Sequence, residues 1–390
     1  MRSDPTYDVL VIGARLAGAA TAMLLARAGL RVLVVDQARA GSDTFSTHAF
    51  MRGGVIQLSR WGLLDDLKAA GTPPINRTVI RYGGVEEVVE VKPIPHCDAL
   101  YAPRRTVLDP LVADAARRAG AEVRFSVRVT RLLRNDAGRI VGAEARDRDG
   151  RHHELRARMT IGADGARSMV ADEVGAHRYL RGSHASALIG GYVSGLEVDG
   201  YQWLYAPGAS AGVIPTNDGQ VSVWVGVSSR DFPSLRHDLA ASLHQTLATV
   251  APDWAAAIAR ARQHGPVRGF PGTRGFLRQA WGPGWALVGD AGHFKDPLST
   301  HGMTDALRDA ELLADALAAS LGDTRSEVAA LSGYQAKRDE LSTRVLTLAD
   351  RIAAYDWTLP ELRNLLVELS QAMRPEVAHL LERPALPIPA

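Results

Sequence analysis

Cysteine and lysine are scarce in this sequence. Its one cysteine, Cys97, excludes an intrachain disulfide and a cysteine-based metal cluster. Lysine occurs four times, at Lys68, Lys92, Lys295 and Lys337, against 41 arginines, a bias we read as that of a GC-rich genome. No sign of charge dominates: the net charge is +2 and no basic block stands out, which argues against nucleic acid or an anionic membrane as partner. No apolar run reaches the about 18 residues of a membrane span, and the stretch before Tyr7 is too short and polar for a signal peptide. A cytoplasmic protein with no membrane span is the expectation. The histidines show no HExxH spacing and have no cysteine partners, so no metal site is expected. Hydrophobic residues at 46% and charged residues at 23% are the balance of a globular protein, and 390 residues suffice for two domains or one elaborate one.

The N-terminus carries the strongest local pattern. Tyr7 to Ile12 (YDVLVI) reads as a buried parallel strand, Gly13 to Gly18 (GARLAG) as a turn, Thr21 to Ala28 as a helix, and Leu30 to Val35 as a second strand ending at Asp36. Strand, glycine turn, helix, strand and acid within about thirty residues is the dinucleotide-binding Rossmann unit. In its G-x-G-x-x-G turn, Gly13 makes the bend and Gly18 lets the helix sit close to the strand, with Ala14 and Ala17 between them. Arg15 stands where the second glycine would let the backbone approach a pyrophosphate. Its cation points either at that pyrophosphate or outward, and we expect it at the pyrophosphate edge. Asp36 is placed to accept hydrogen bonds from a ribose.

Further along, a helix is expected over Arg52 to Ala70, a hairpin over Thr78 to Val91, a helix over Arg105 to Ala119 and a strand over Val123 to Leu133. From about Arg181 the character changes. Ser186 to Val198, Trp203 to Tyr205, Gly212 to Pro215 and Gln220 to Val227 read as strands, and Leu235 to Val250 and Trp254 to Gln263 as helices. Trp285 to Val288 is a buried strand, Met303 to Leu321 a long helix, and the tail from Glu327 to about Glu382 helical, broken at Pro360 and Pro375. One domain is interrupted by another.

Two later segments complete a pattern: Gly162-Ala163-Asp164-Gly165 directly after a strand, and Gly289-Asp290-Ala291-Gly292-His293 followed by Pro297 and His301-Gly302-Met303 at a helix start. Together with the N-terminal unit, in order and spacing, they resemble the three signatures of FAD-dependent monooxygenases of the para-hydroxybenzoate hydroxylase type. The resemblance covers most of residues 7–320. It implies an α/β fold: a Rossmann-like FAD-binding domain with a parallel sheet (1–75, 97–182 and 268–330), a mixed β-sheet substrate domain (76–96 and 183–267) and a C-terminal helical segment (331–390). It also implies FAD contacts at Arg52, at Arg105 in an R-x-x-L helix start, and at Val129 beside adenine. Asp164 matches the acid of the second signature. Gly289 and Asp290 match the ribityl contact, and Pro297, Gly302 and Met303 the flavin-facing loop and helix end.

The sequence departs from the family at Arg15, Asp296, Thr300 and His301, where glycine, proline, glycine and glutamine are usual. His48, His293 and His301 fall in segments that the resemblance puts near the flavin ring. They are the candidates for deprotonating a phenol or donating to a carbonyl. Tyr192, Trp203, Tyr205 and Trp224 are candidate walls for an apolar or aromatic substrate. The implied activity is a single-component monooxygenase that takes electrons from NADPH or NADH and, through a flavin C4a-hydroperoxide formed with O2, hydroxylates or epoxidises an aromatic, polyketide-like or terpenoid-like small molecule. The alternatives are a flavin-dependent reductase of a prenyl or other C=C bond, suggested by Tyr201-Gln202-Trp203 followed by Pro207, and a non-catalytic flavin-binding relative. A flavin halogenase is weaker, for lack of a W-x-W-x-I-P segment.

Overall fold

Val9, Val11, Leu10 and Ile12 are all buried, and period-two alternation sends them to opposite sides of one strand. Val9 and Val11 pack with helices, while Leu10 and Ile12 pack with a β-meander. Tyr7–Ile12 is thus an interior strand of an eight-stranded sheet, buried on both faces as parallel strands are. The structure, a computed structural model, describes residues 7–384. Across this sheet the order is Trp281–Gly282, Trp285–Leu287, His152–Gly162, Tyr7–Ile12, Val32–Asp36 and Glu122–Phe125. Along these six strands the pairings are parallel except that of the edge strand Trp281–Gly282. Helix Leu16–Arg27 packs between helices Arg105–Arg118 and Gly302–Ser320 on one face. Arg128–Arg134 and Ile140–Arg146 pair onward from His152–Gly162 to make the meander on the other.

The second sheet has seven strands in the order Arg262–Phe270, Ser186–Ser194, Gln220–Ser228, Ala209–Pro215, Tyr201–Ala206, Arg77–Tyr82 and Val85–Glu90. Its one parallel pairing, Tyr201–Ala206 with Arg77–Tyr82, makes it mixed. Ile189, Val193, Val223 and Val225 turn one face to helices Leu239–Val250 and Pro252–Arg260. Leu188, Trp203 and Trp224 turn the other face to the cofactor unit. No helix among the described residues is long and apolar enough to cross a membrane.

The structure corrects several expected elements. The helix expected over Arg52 to Ala70 is two, Arg52–Arg60 and Leu64–Ala69, because Gly62 at φ 74° turns the chain. The strand expected over Val123 to Leu133 breaks at Ser126, φ 59°, so that Glu122–Phe125 joins the parallel sheet and Arg128–Arg134 the meander. The stretch after Ala261, expected to continue a helix to Gln263, is strand Arg262–Phe270. The tail is helical and broken ahead of Pro360 and Pro375, as expected, into Thr324–Ile352 and two shorter helices. Each proline lies in the first turn of a helix, Leu359–Ala372 and Arg374–Leu381, where its missing N–H costs nothing.

Candidate functional site

A cleft of about 670 Å³ opens where the parallel strands end, between the two sheets. Its inner end is the glycine turn. Gly13 has φ +109°, and a Cβ there would lie 2.3 Å from the Ala163 carbonyl oxygen. A Cβ on Gly18 would lie 1.9 Å from the Gly13 carbonyl oxygen, so only glycine lets the helix start this close to the strand. Asp36 accepts the Ala14 and Ala38 N–H groups, both at 2.7 Å, which fixes the turn while its carboxylate still lines the cleft. Arg15, at the N-cap of Leu16–Arg27, has no side-chain cap bond, and that helix has no acid in its first turn. His301 likewise gives helix Gly302–Ser320 no side-chain cap bond. Two helix N-termini therefore meet the cleft with free amides, and helix ends of this kind hold anionic groups.

Among the candidate cofactor residues, Gly13, Arg15, Ala17, Asp36, Arg105, Val129, Asp164, Asp290, Pro297, Gly302 and Met303 all line this cleft. Arg105 is held by two 2.9 Å bonds to Asp109. Asp164 Oδ1 is buried with no partner among the described residues, while its Oδ2 accepts the Val170 N–H at 3.2 Å. Burial pushes the Asp164 carboxyl up, and pushes Asp290 up to about 6 despite His293 and Lys295 nearby. A Cβ on Gly302 would meet nothing within 4 Å, leaving the helix end open to a ligand. An orphaned carboxylate oxygen for a hydroxyl, arginines and amides for phosphates, and an uncovered helix end fit a flavin dinucleotide. Ala14, Gly18 and Gly289 do not line the cleft; a Cβ on Gly289 would come 2.8 Å from that of Ala17. Arg52 faces elsewhere, its Nη1 3.9 Å from Cys97 Sγ.

The three candidate histidines are not on the cleft wall among the described residues. His48 is fully buried: Nδ1 lies 3.0 Å from the Pro103 carbonyl oxygen and Nε2 2.5 Å from the Tyr192 hydroxyl. The carbonyl can only accept, so Nδ1 carries the proton and Nε2 accepts from Tyr192. Burial, reinforced by Arg105, lowers His48 to about 3. Between that value and the ordinary 6.5 the unfolded chain binds a proton that folded His48 refuses, so His48 costs stability as pH falls through 6.5. The wild-type advantage over His48→Gln should therefore shrink by about 2 kcal/mol between about pH 7.5 and about pH 5 in urea unfolding. A constant gap would count against the buried neutral imidazole.

His293 and His301 belong to a buried charge network instead. His293 Nδ1 is 2.9 Å from Asp309, and His301 Nε2 is 3.0 Å from Glu376. Lys295 Nζ is 2.5 Å from Asp305. Arg308 joins Asp305, Asp309 and Glu376 at 2.6–2.9 Å. Burial pushes the Asp305 carboxyl up, but Lys295 and Arg308 outweigh it and hold it well below the usual range. His301, Asp305 and Glu376 each offer a ligand atom within 4.8 Å of the others, as a metal site would. Arg308 Nη1 already bonds Asp305 and Glu376, so the cluster reads as ionic.

Of the candidate substrate aromatics, Trp203, Tyr205 and Trp224 are packed rather than presented. Trp203 stands 6.1 Å from Trp224 and Tyr205 6.4 Å from Trp357, between the second sheet, the cofactor unit and the C-terminal segment. Tyr192 lies under Arg104, 3.6 Å from its ring centre, and bonds His48. The apolar wall of the cleft comes from Phe45, Leu188, Phe270 and Phe294, with Lys295 beside them. Sequence reasoning passed over these, although alternation along Ser186–Ser194 puts Leu188 on the same face as Tyr192. Gly208-Ala209-Ser210-Ala211-Gly212 has G-x-S-x-G spacing but makes no nucleophile elbow. Ser210 sits inside antiparallel strand Ala209–Pro215, buried against the Tyr355 hydroxyl at 2.9 Å, and not on a strand-to-helix elbow.

Fold and cleft together define an FAD-dependent oxidoreductase. The chain belongs to the FAD binding domain family, whose profile matches residues 6–349. It is 27% identical over 334 residues to digeranylgeranylglycerophospholipid reductase of Methanosarcina acetivorans, covering 82% of this chain and 78% of that one. It is 33% identical over 204 residues to aklavinone 12-hydroxylase DnrF of Streptomyces peucetius, covering 47% of this chain and 40% of that one. Among solved structures it is similar to PqsL of Pseudomonas aeruginosa in complex with 2-aminobenzoylacetate, with TM-score 0.77, 25% identity, and coverage of 95% of this chain and 99% of that one.

Proposed function

We propose that the protein is a single-component monooxygenase that takes electrons from NADPH or NADH and uses O2 to hydroxylate or epoxidise an apolar or aromatic small molecule. The observation that carries this reading is the continuity of one cleft. It runs from Gly13 and Asp36, at the ends of the parallel strands, to an apolar wall of Phe45, Leu188, Phe270 and Phe294, of which Leu188 and Phe270 stand on the second sheet. FAD, when bound, supplies electron storage and oxygen activation, chemistry that side chains do not. The chain's residues supply the setting. Arg15 and Arg105 would hold the phosphates; Asp36, Asp164 and Asp290 would accept sugar and ribityl hydroxyls. The amides of Gly302 and Met303 would oppose negative charge at the ring edge. The apolar wall would orient the substrate and exclude water. In this reading residues 76–96 and 183–267 form the substrate unit and 1–75, 97–182 and 268–330 the cofactor unit.

The test is direct. Purified protein should be yellow, should oxidise NADPH or NADH, and should do so faster with O2 and a panel of phenols, indoles and polyketide aromatics, with one oxygen atom entering the product. A colourless protein that takes up no FAD would remove every flavoenzyme reading. The relative of Methanosarcina acetivorans, aligned over 82% of the chain, favours a second reading, reduction of a C=C bond. Turnover without O2 that saturates an alkene would establish it instead.

A further inference from the structure

We propose that Glu376, carried on the C-terminal helix Arg374–Leu381, is a positioning residue of the cofactor cleft, acting through His301 and Arg308 on the loop that walls the flavin end. The inference rests on the reading of the cleft as an FAD site.

The loop concerned runs from Phe294 to Gly302, and most of its residues line the cleft. It is tied at three points. Near its start, Lys295 Nζ meets Asp305 at 2.5 Å. In the middle, Asp296 accepts the Ser186 N–H of the second sheet at 2.6 Å and the Leu298 N–H at 3.1 Å. At its end, His301 Nε2 meets Glu376 Oε2 at 3.0 Å. Between the last two ties Thr300 has φ 49°, a left-handed conformation that a β-branched residue adopts only under outside restraint. Glu376 lies past the end of the 6–349 family match, so this restraint comes from a separate helix.

The first and last ties meet at one guanidinium. Arg308 Nη1 donates to Asp305 Oδ1 at 2.8 Å and to Glu376 Oε2 at 2.9 Å. Lys295, His301, Asp305, Arg308 and Glu376 are all at most 5% exposed, so solvent does not screen these contacts. The fold also makes room for the carboxylate: a Cβ on Gly53 would lie 2.3 Å from Glu376 Oε1. Removing the Glu376 charge leaves Arg308 with two carboxylates and His301 with only Asp305, 4.0 Å away, while Lys295, Asp296 and the cleft side chains are untouched. His301 adjoins Gly302 and Met303, whose amides start the flavin-facing helix, so freedom at His301 becomes disorder at those amides.

The test uses the full chain. Glu376→Gln, Glu376→Asp, His301→Asn and the double variant Glu376→Gln/His301→Asn are stripped of flavin and titrated with FAD by fluorescence quenching. The exposed Glu382→Gln serves as control. Visible spectrum and midpoint potential of the bound flavin are recorded. Glu376→Gln and His301→Asn should each weaken FAD binding about tenfold and shift the potential, and the double variant should be no weaker than the worse single one. Glu382→Gln should match wild type. Affinities within about twofold of wild type, or additive losses, would overturn the inference. So would a lower melting temperature with unchanged affinity, spectrum and potential, which is what a purely structural role gives. If Glu376→Gln does not fold, Glu376→Asp decides, with a smaller loss supporting the inference and wild-type behaviour overturning it. Wild-type protein that binds no FAD would remove the reading of the cleft itself, a result distinct from equal affinities across the variants.

Discussion

Replacing Arg308 by methionine should cost the fold about 3–5 kcal/mol at neutral pH, the penalty of removing one partner from buried ion pairs. Arg308 is 1% exposed and its guanidinium bonds Asp305, Asp309, Glu376 and the Ser342 hydroxyl. Methionine fills much of the same volume and satisfies none of the three carboxylates. The pH dependence gives the prediction its sign. Burial pushes all three carboxyls up, and Arg308 is among the charges that bring each below its ordinary value. Groups held low contribute stability that is complete above the unfolded value of about 4 and is lost as pH falls through the folded one. Wild type therefore loses nothing from these groups between about pH 7.5 and about pH 5. Without Arg308 the carboxyls move up, Asp309 above all because Arg308 is the leading charge against its burial, and protonation relieves the variant as pH falls. The urea-unfolding gap between wild type and Arg308→Met should be widest near neutrality and narrow on acidification. Arg308→Lys, with one point charge for three carboxylates, should fall between them. A gap below about 1 kcal/mol, or one independent of pH, would mean that the cluster is not held by ion pairs.

The network explains where sequence reasoning stopped. Gly13, Gly18 and Asp36 were legible because the constraint is local: a turn, a close approach and a carboxylate over backbone amides, all within one strand–helix–strand unit. Gly302, Met303 and Asp290 were legible as parts of an ordered motif whose residues line the cleft together. His301 was not, because its partner Glu376 is 75 residues away in a helix whose sequence carries no sign of the contact. His48 faces the same problem at a distance of 144 residues, where Tyr192 supplies the hydroxyl that holds it. Aromatic content in the middle strands pointed to a substrate wall, but Trp203, Trp224 and Tyr205 serve as packing between units. Which face of a strand meets a ligand and which meets a neighbouring domain is a tertiary fact, and alternation alone does not separate the two.

The glycine turn supports the largest loss of ligand. Gly18→Ala should abolish measurable FAD binding, with affinity falling at least about 100-fold, because a 1 Å misplacement at a site can cost that much. The added Cβ would stand 1.9 Å from the Gly13 carbonyl oxygen and 3.0 Å from the Ala163 Cβ. The first obstacle is backbone, which cannot rotate aside. Gly13 is itself fixed by its N–H bond to the Val35 carbonyl at 2.8 Å, and Ala163 by its N–H bond to Ile12 at 2.8 Å. The helix must therefore lift from the strand by about 1 Å, taking with it the amides of Leu16 and Ala17 that face the cleft and pulling Ala14 from Asp36. Gly29, at the other end of the same helix, gives the control. Its φ is +85° and a Cβ there would meet nothing within 4 Å, so Gly29→Ala should cost about 1–2 kcal/mol of stability and leave the affinity for FAD unchanged. Titrating FAD into both stripped variants separates a general loss of stability from a loss of the turn. Equal affinities in Gly18→Ala and Gly29→Ala would mean that the cofactor does not depend on the close approach of helix and strand at Gly18.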